Sequence, residues 1–245
     1  MKIIGSDYDG TLNHGGFPAE KLEAIKKWQA AGNRFGVISG RNHDFLKELP
    51  EKTGIDFDFL IAYNGGMIFT PGGEIIHENM CTDVEIAPFI RQLFAWGCDF
   101  AHMCGEKYYR IWRCSELREE GGWLLEETPE FDSFYQISVQ LPTEEEAAQV
   151  VRLAAEKYGD RLNPLLNGVC IDIVPKGVNK AVGLENVCRH YGAKHEDVIA
   201  VGANLNDMDM IRAFRSYAME SGAEALKKEA DFTIKSIDAL IEKER

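Results

Sequence analysis

The chain has 245 residues, which is enough to bury a hydrophobic core and leaves room for one large domain or for a core with an inserted module. It carries 27 Lys and Arg against 40 Asp and Glu, so its formal net charge is −13. This charge argues against nucleic acid and anionic membranes as partners. A phosphorylated substrate is repelled as well, so its binding requires local cations.

Targeting signals and metal-type cysteine motifs are not found in the sequence. The first residues lack the pattern of a signal peptide, and no apolar run approaches the ~20 residues of a membrane span. The six cysteines form no CxxC pair, which favours reduced thiols over a disulfide framework or a zinc site. We therefore expect a cytoplasmic protein.

Short apolar runs alternate with helical patterns at both ends of the chain. The runs "KIIGSD", "RFGVIS" and "FDFLIAYN" predict strands, and "PAEKLEAIKKWQAAG" predicts a helix between the first two. The alternation returns late, where "DVIAVG" and "SYAM" predict strands and "NKAVGLENVCRHYG", "MDMIRAF" and "AEALKKEA" predict helices. Such repetition predicts an α/β fold with a Rossmann-like parallel sheet covered by helices on both faces.

The middle of the chain has a different pattern of apolar and polar residues. Longer alternating runs such as "KYYRIWRC", "SFYQISVQL" and "VCIDIV" surround one strongly helical segment, "TEEEAAQVVRLAAEKYG". This pattern predicts a separate α+β module with an antiparallel sheet. The predicted domains are a core formed by residues 1–79 and 175–245, and a module of residues 80–174 inserted into it.

Two carboxylates follow the first predicted strand. Asp7 and Asp9 are spaced by two, so on extended chain they point to the same side, and Gly10 allows a sharp turn after them. Ligands of parallel α/β sheets bind beyond the carboxyl ends of the strands, where both acids are expected. Two converging carboxylates are stabilised by a hard cation such as Mg²⁺ or by a shared proton. Asp and Gly are also ordinary turn formers, so the pair alone is equally compatible with a solvated turn.

Four segments in order resemble the motifs of the haloacid dehalogenase superfamily of phosphotransferases. "DYDGTL" resembles the first motif, "VISGR" the second, "PKGVNKAVGL" the third and "VGANLNDMDMI" the fourth. "YNGGMIFTPGGEIIHE" and "AMESGAEALKKEAD" resemble segments of the Cof-like subfamily. That subfamily carries a large α/β cap between the second and third motifs, where the texture of this sequence changes.

The resemblance implies a role for each matching residue. Asp7 is the expected nucleophile, Asp9 the expected acid and base, and Lys180 the cation that balances the charge of nucleophile and phosphate. Expected substrate contacts come from Thr11, Ser39, Gly40, Lys180 and Asn206. The expected Mg²⁺ ligands are Asp7, the backbone carbonyl of Asp9, and Asp207.

Each weaker match also has an ordinary structural interpretation. Ser39 and Gly40 are typical of residues that merely end a strand. Lys180 alone is better explained as a surface lysine near a helix start. Asn206 and Asp207 are typical of a helix N-cap pair, a role compatible with catalysis. The order and spacing of all four segments favour the functional interpretation.

One position departs from the family pattern. An acid that binds magnesium is expected after Gly202, whereas this chain has Ala203, and a methyl group cannot bind a metal. Three explanations remain open at this stage: Asp207, with Asn204 or Asn206, holds the metal; the protein keeps the pocket but has lost efficient turnover; or the substitution was introduced artificially.

The sequence therefore predicts a Mg²⁺-dependent phosphohydrolase of small phosphorylated metabolites, with sugar phosphates as the favoured class, acting through an aspartyl-phosphate. The alternatives are a phosphomutase with the same nucleophile and a catalytically weakened protein that binds a phosphorylated ligand, for which Ala203 is the motivating feature. We expect a small phosphorylated metabolite as partner, no nucleic acid or membrane, and a monomer or small homo-oligomer.

Overall fold

The computed structural model describes every residue from Met1 to Arg245 and divides the chain into two compact units. The first unit contains Met1–Glu78 and Asn179–Arg245, and the second contains Asn79–Val178. None of the helices combines the length and apolar character needed to cross a membrane.

Fourteen strands are numbered in chain order: β1 (Ile3–Asp7), β2 (Arg34–Ile38), β3 (Phe59–Ala62), β4 (Met67–Phe69), β5 (Ile75–Glu78), β6 (Phe100–Cys104), β7 (Tyr108–Trp112), β8 (Trp123–Leu124), β9 (Gln136–Gln140), β10 (Leu162–Asn167), β11 (Cys170–Pro175), β12 (Val198–Gly202), β13 (Arg215–Met219) and β14 (Phe232–Ile234).

Nine α-helices are numbered in the same way: α1 (Ala19–Ala30), α2 (His43–Lys47), α3 (Leu49–Thr53), α4 (Ile86–Ala95), α5 (Glu144–Tyr158), α6 (Lys180–His190), α7 (Met208–Ala213), α8 (Glu224–Glu229) and α9 (Ile237–Glu244). Short irregular or 3₁₀ turns, among them Tyr8–Leu12, Tyr63–Gly65 and Leu205–Asp207, follow the strands near the site described below.

The first unit is built on an eight-stranded sheet in the order β14-β13-β12-β1-β2-β3-β4-β5. The strands from β14 to β3 in that order pair in parallel, which confirms the predicted α/β class. β4 and β5 extend the sheet as an antiparallel edge, which the sequence pattern did not specify. The return between them is tight because Gly73 adopts a left-handed conformation (φ +86°).

The second unit has an antiparallel sheet of its own, as the alternating runs predicted. Its order is β10-β11-β9-β6-β7-β8, with only β7 and β8 parallel. Apolar residues from α4, α5 and the sheet form a separate buried cluster that includes Phe89, Phe134 and Ile137. The second unit thus has a hydrophobic core that is distinct from the core of the first.

The central strands of the first sheet bring distant parts of the sequence to one edge. β1 pairs in parallel with β12 on one side and with β2 on the other. Asp7 is the last residue of β1, Ser39 follows β2, and Ala203 follows β12. The carboxyl ends of these three strands therefore place the first, second and fourth motifs side by side.

Candidate active site

A buried lysine joins two buried carboxylates at this edge of the sheet. Lys180 Nζ donates to Asp7 Oδ1 at 2.7 Å and to Asp207 Oδ1 at 2.6 Å. The three residues are at most 4% exposed. Thr11 Oγ1 donates to the other Asp7 oxygen at 3.1 Å. The four residues come from the first, third and fourth motifs, so the structure brings these predicted site residues together in one network.

The charges of this network shift one another's pKa values. Burial, together with the Asp207 carboxylate, raises the pKa of Asp7 to about 7, although Lys180 and Thr11 oppose the shift. Burial alone would lower the pKa of Lys180, but Asp207 and Asp7 raise it above its usual range. Lys180 is therefore a permanent cation, and it does not fully offset the negative charge of the two acids around it.

The Asp207 carboxylate is also bound to the turn after β12. Asp207 Oδ2 accepts the backbone N–H groups of Ala203 (2.8 Å) and Asn204 (2.9 Å). Both of its oxygens are therefore engaged, one by the turn and the other by Lys180. The predicted direct contact between Asp207 and a metal requires a rearrangement of these bonds or an intervening water.

Asp9 lies at the rim of the site, with its side chain 43% exposed, and is held by an arginine. Arg41 Nε donates to Asp9 Oδ2 at 2.8 Å and Arg41 Nη2 to Asp9 Oδ1 at 3.0 Å. Asn13 Nδ2 approaches Oδ1 at 3.4 Å. The bonds to Asp9 also raise the pKa of Arg41. Arg41 was not among the predicted site residues, although it directly follows Ser39 and Gly40 in "VISGR".

The loop that contains Ser39 is fixed by backbone hydrogen bonds to the turn after β3. Ser39 Oγ accepts the Arg41 N–H at 3.2 Å. The Ser39 carbonyl accepts the Asn64 N–H at 2.9 Å, and the Arg41 carbonyl accepts the Tyr63 N–H at 3.1 Å. Tyr63 and Asn64 both have positive φ angles, 53° and 54°. Positive φ is uncommon outside glycine, and such strain often clusters at functional sites.

Asn206, a predicted substrate contact, lies half-buried in the turn before Asp207. Its Oδ1 is shielded from solvent and has no hydrogen-bond partner within the protein. An unpaired buried acceptor is costly, so this oxygen is available to a donor or a cation that the protein itself does not supply.

The oxygen atoms near Asp7 are ligands of the type that a hard cation prefers, although only a few of them are present. No three His, Cys, Asp or Glu side chains lie close enough together to hold a metal ion. Mg²⁺, however, commonly binds through one or two carboxylates and keeps several waters. The Asp7 carboxylate, with its raised pKa, and the Asp9 carbonyl, which accepts a bond of 3.2 Å from Asn204 Nδ2, are suitable ligands. The residues therefore fit Mg²⁺, with one carboxylate fewer than the family pattern supplies.

Comparisons with known proteins support this description of the chain. Residues 4–239 match the family model of haloacid dehalogenase-like hydrolases. The chain is 26% identical over 95% of its length to a 5-amino-6-(5-phospho-D-ribitylamino)uracil phosphatase of Escherichia coli K12, covering 90% of that protein. It is 24% identical over 96% of its length to a phosphoglycolate phosphatase of Methanobrevibacter smithii, covering 93% of that protein.

Solved structures share the fold along the whole chain. A Streptococcus mutans UA159 protein superposes with a TM-score of 0.83 at 24% identity, covering 99% of this chain and 97% of the other. A sugar phosphatase of haloacid dehalogenase subclass IIB superposes with a TM-score of 0.79 at 21% identity, with the same coverage of both chains.

A parallel α/β core with acids and a lysine at the carboxyl ends of its strands defines a hydrolase of the phosphatase class. The chain belongs to the haloacid dehalogenase-like hydrolase family. The predicted family and the predicted enzyme class are both confirmed.

Proposed function

We propose that this protein is a Mg²⁺-dependent phosphohydrolase of small phosphate monoesters that acts through a covalent acyl phosphate on Asp7, an aspartyl-phosphate. The observation that carries the proposal is the buried contact between Lys180 and Asp7 at 2.7 Å, with Asp9 two residues further along the chain. A carboxylate beside a fixed cation, with a second carboxylate at the rim, combines a nucleophile with a group that can carry a proton.

The proposed reaction has two steps. In the first, an Asp7 oxygen attacks phosphorus while Asp9 gives a proton to the leaving oxygen of the alcohol. In the second, water attacks the phosphorus of the aspartyl-phosphate, the bond to Asp7 breaks, and Asp9 takes the water proton. Lys180 balances the negative charge of Asp7 and of the phosphoryl group throughout.

The residues that would hold Mg²⁺ are Asp7 and the carbonyl of Asp9, with Asp207 close by. When bound, the ion supplies positive charge that offsets the charge of the phosphoryl oxygens. The protein carries a net charge of −13, so Lys180 and this ion are the local positive charges that admit an anionic substrate. Thr11, Ser39, Gly40 and Asn206 remain proposed substrate contacts.

The proposed substrate class is a sugar phosphate or a similar small monoester. The relatives above are named for a phosphorylated ribitylamino compound, for phosphoglycolate and for sugar phosphates, all of which present a phosphate on a small polar carrier. The second unit, as the predicted cap, is the proposed source of selectivity among such carriers.

The test is phosphate release from a panel of sugar phosphates and from 4-nitrophenyl phosphate, with Mg²⁺ and with EDTA. We expect turnover that requires Mg²⁺ and that Asp7→Asn abolishes while the fold is retained, because an amide is a poor nucleophile. Circular dichroism and thermal unfolding of Asp7→Asn provide the control for folding.

The outcomes separate the alternatives. An isomeric sugar phosphate in place of inorganic phosphate would indicate a phosphomutase. Retention of more than a small fraction of activity in Asp7→Asn would contradict the covalent mechanism. If no ester is hydrolysed at any Mg²⁺ concentration but phosphorylated compounds bind, the protein is a binding protein, the alternative that Ala203 favours.

A further inference from the structure

Asp9 is held by a two-point contact that leaves little freedom to its carboxylate. Two nitrogens of Arg41 meet its two oxygens at 2.8 and 3.0 Å, the parallel geometry that makes guanidinium–carboxylate pairs directional. Asn13 Nδ2 lies 3.4 Å from Oδ1 as well. An ionised carboxylate has about four acceptor positions. Asp9 Oδ1 therefore uses both of its acceptor positions for hydrogen bonds within the protein, whereas Oδ2 uses one and keeps one.

Arg41 is itself fixed from several directions. Its guanidinium lies 4.3 Å from the centre of the Phe45 ring. Phe45 belongs to α2, where its N–H bonds to the capping side chain of Asn42 at 2.9 Å. The same ring makes a T-shaped contact with Tyr8, the residue between Asp7 and Asp9 in the sequence, with the ring centres 5.5 Å apart. The backbone of Arg41 is bonded to Ser39 and Tyr63, so the guanidinium is held from a rigid loop.

The contacts of Asp9 suit its role as a base in the second step better than its role as an acid in the first. Both Asp9 oxygens accept hydrogen bonds from Arg41, and accepting is also what a carboxylate does when it takes a proton. A base must also be aimed at the proton that it removes. The geometry of the pair, which aims the carboxylate and leaves Oδ2 one acceptor position, is therefore the geometry required in the second step, in which Asp9 takes a proton from water.

We propose that Arg41 is a positioning residue for the second step: it holds Asp9 so that Oδ2 accepts the proton of the water that hydrolyses the aspartyl-phosphate. The water oxygen forms the new bond to phosphorus, the electron pair of the broken bond returns to Asp7, and the water proton moves to Asp9 Oδ2. That proton is the one given to the leaving alcohol in the next turnover. The inference rests on the function proposed above and adds a residue to it.

The test uses 2,4-dinitrophenyl phosphate, whose leaving group departs without a proton, so that Asp9 is needed only in the second step. For Arg41→Gln we expect kcat to fall about 10–100-fold, since general bases typically contribute ~10²–10⁴-fold and Asp9 itself remains. Because kcat/KM reports only the steps up to the first irreversible one, it should stay within about 3-fold of wild type. Dinitrophenolate should then appear in a burst of about one equivalent per site, with ³²P-labelled protein trapped by acid quenching.

Arg34→Gln is the matched control. Arg34 also pairs with a carboxylate, Asp58, at 2.8 Å and lies over an aromatic ring, that of Tyr191, at 5.2 Å. It begins β2, at the end of the strand opposite to Ser39, so its loss should change neither kcat nor the burst. Arg41→Lys, which keeps the charge but not the two-point contact, should recover part of kcat.

Asp9→Asn separates a failure of this inference from a failure of the proposed function. A burst in Asp9→Asn but none in Arg41→Gln, or an equal fall of kcat and kcat/KM in Arg41→Gln, would overturn the role of Arg41 and leave the mechanism standing. If Asp9→Asn shows neither a burst nor labelled protein while wild type still turns over, both the role of Arg41 and the covalent route are wrong.

Discussion

Ala203 stands where the family pattern has a metal-binding acid, and its surroundings show what an acid there would reach. A Cβ atom built on Gly10 would lie 3.6 Å from the Ala203 methyl carbon, so this methyl group faces the turn after Asp9. The Ala203 N–H is bonded to Asp207 and its carbonyl to the N–H of Ala223 at 2.8 Å, so the backbone here is fixed. A carboxylate at this position would extend towards the carbonyl of Asp9.

Ala203→Asp should therefore tighten Mg²⁺ binding. Even changes among the residues that support metal ligands commonly alter affinity ~10–100-fold, so a new direct carboxylate ligand should lower the dissociation constant by at least about 10-fold. Isothermal titration calorimetry measures this directly, and the half-saturating Mg²⁺ concentration for phosphate release should fall in parallel. Without Mg²⁺ the variant should unfold at a lower temperature than wild type, because it adds a third acid beside Asp7 and Asp207.

Leu205→Asp provides the control for charge alone, since Leu205 is 42% exposed in the same turn. It should change Mg²⁺ affinity little. If wild type already binds Mg²⁺ tightly and Ala203→Asp brings no gain, another oxygen, from Asn204, Asn206 or Asp207, has replaced the missing ligand.

Much of the site was predictable at the level of single residues, because ligands of parallel α/β sheets bind at the carboxyl ends of the strands. Asp7, Ser39 and the turn after β12 each follow an apolar run, and parallel pairing brings such ends together. Lys180 was identifiable only through its motif, since no local pattern shows that a lysine at a helix start is 1% exposed. Arg41 escaped prediction because its partner, Asp9, is 32 positions away in the sequence.

At the scale of elements, the turn after β3 connects the loop of the second motif to the helix that carries Lys180. Its residues Tyr63 and Asn64 bond to that loop, as described above. On the other side, Gly65 lies against the start of α6: a Cβ atom on Gly65 would be 2.4 Å from the carbonyl oxygen of Asn179, the residue that caps this helix. This close approach fixes the start of α6 against the turn after β3, and so positions Lys180, the first residue of the helix.

Gly65→Ala should therefore displace the start of α6. The added methyl group meets backbone atoms that cannot rotate away, and Gly65 has a φ of +113°, so we expect a loss of unfolding free energy of about 1–3 kcal/mol. Phosphate release should slow as well, because Lys180 moves with the helix. Urea denaturation and steady-state kinetics measure the two effects.

Gly73→Ala is the matched reference. Gly73 also has a positive φ, +86°, but a Cβ atom there would meet nothing within 4 Å. Gly73→Ala should lower the unfolding free energy only through the strain of a left-handed alanine, roughly 1–2 kcal/mol, and should leave the kinetics of phosphate release unchanged. Equal kinetic effects of the two variants would show that the contact between Gly65 and Asn179 does not position Lys180.

The elements that the sequence did not specify share a physical reason. β10 contains Pro164 and has only one buried residue, Leu162, and β4 and β5 are only three and four residues long. Short or proline-containing segments give weak periodic signals, and their strand conformation comes from pairing with neighbours. The long helix α5 was recognisable from sequence because Thr143 caps it and 15 residues repeat the helical pattern.

At the scale of the whole molecule, the two units have separate hydrophobic cores. In the second unit, the fully buried Phe89 packs against Tyr158 with ring centres 4.9 Å apart. In the first unit, the fully buried Phe59 lies in β3, close enough to Gly36 that a Cβ atom on Gly36 would meet it at 2.5 Å. Neither phenylalanine belongs to the buried cluster of the other unit.

We therefore expect thermal unfolding in two resolvable transitions, each sensitive to its own core. Removing a buried phenylalanine ring lowers the unfolding free energy by about 3–5 kcal/mol. In a domain of 60–100 residues, each kcal/mol lost lowers the midpoint temperature of unfolding by roughly 4–8 °C. In differential scanning calorimetry, Phe89→Ala should lower one transition by at least about 10 °C and leave the other in place, whereas Phe59→Ala should lower the other. Mg²⁺ with inorganic phosphate should raise the transition that Phe59→Ala lowers, because Asp7 and Lys180 belong to the same unit as Phe59. A single transition that both substitutions lower equally would show that the units unfold together despite their separate cores.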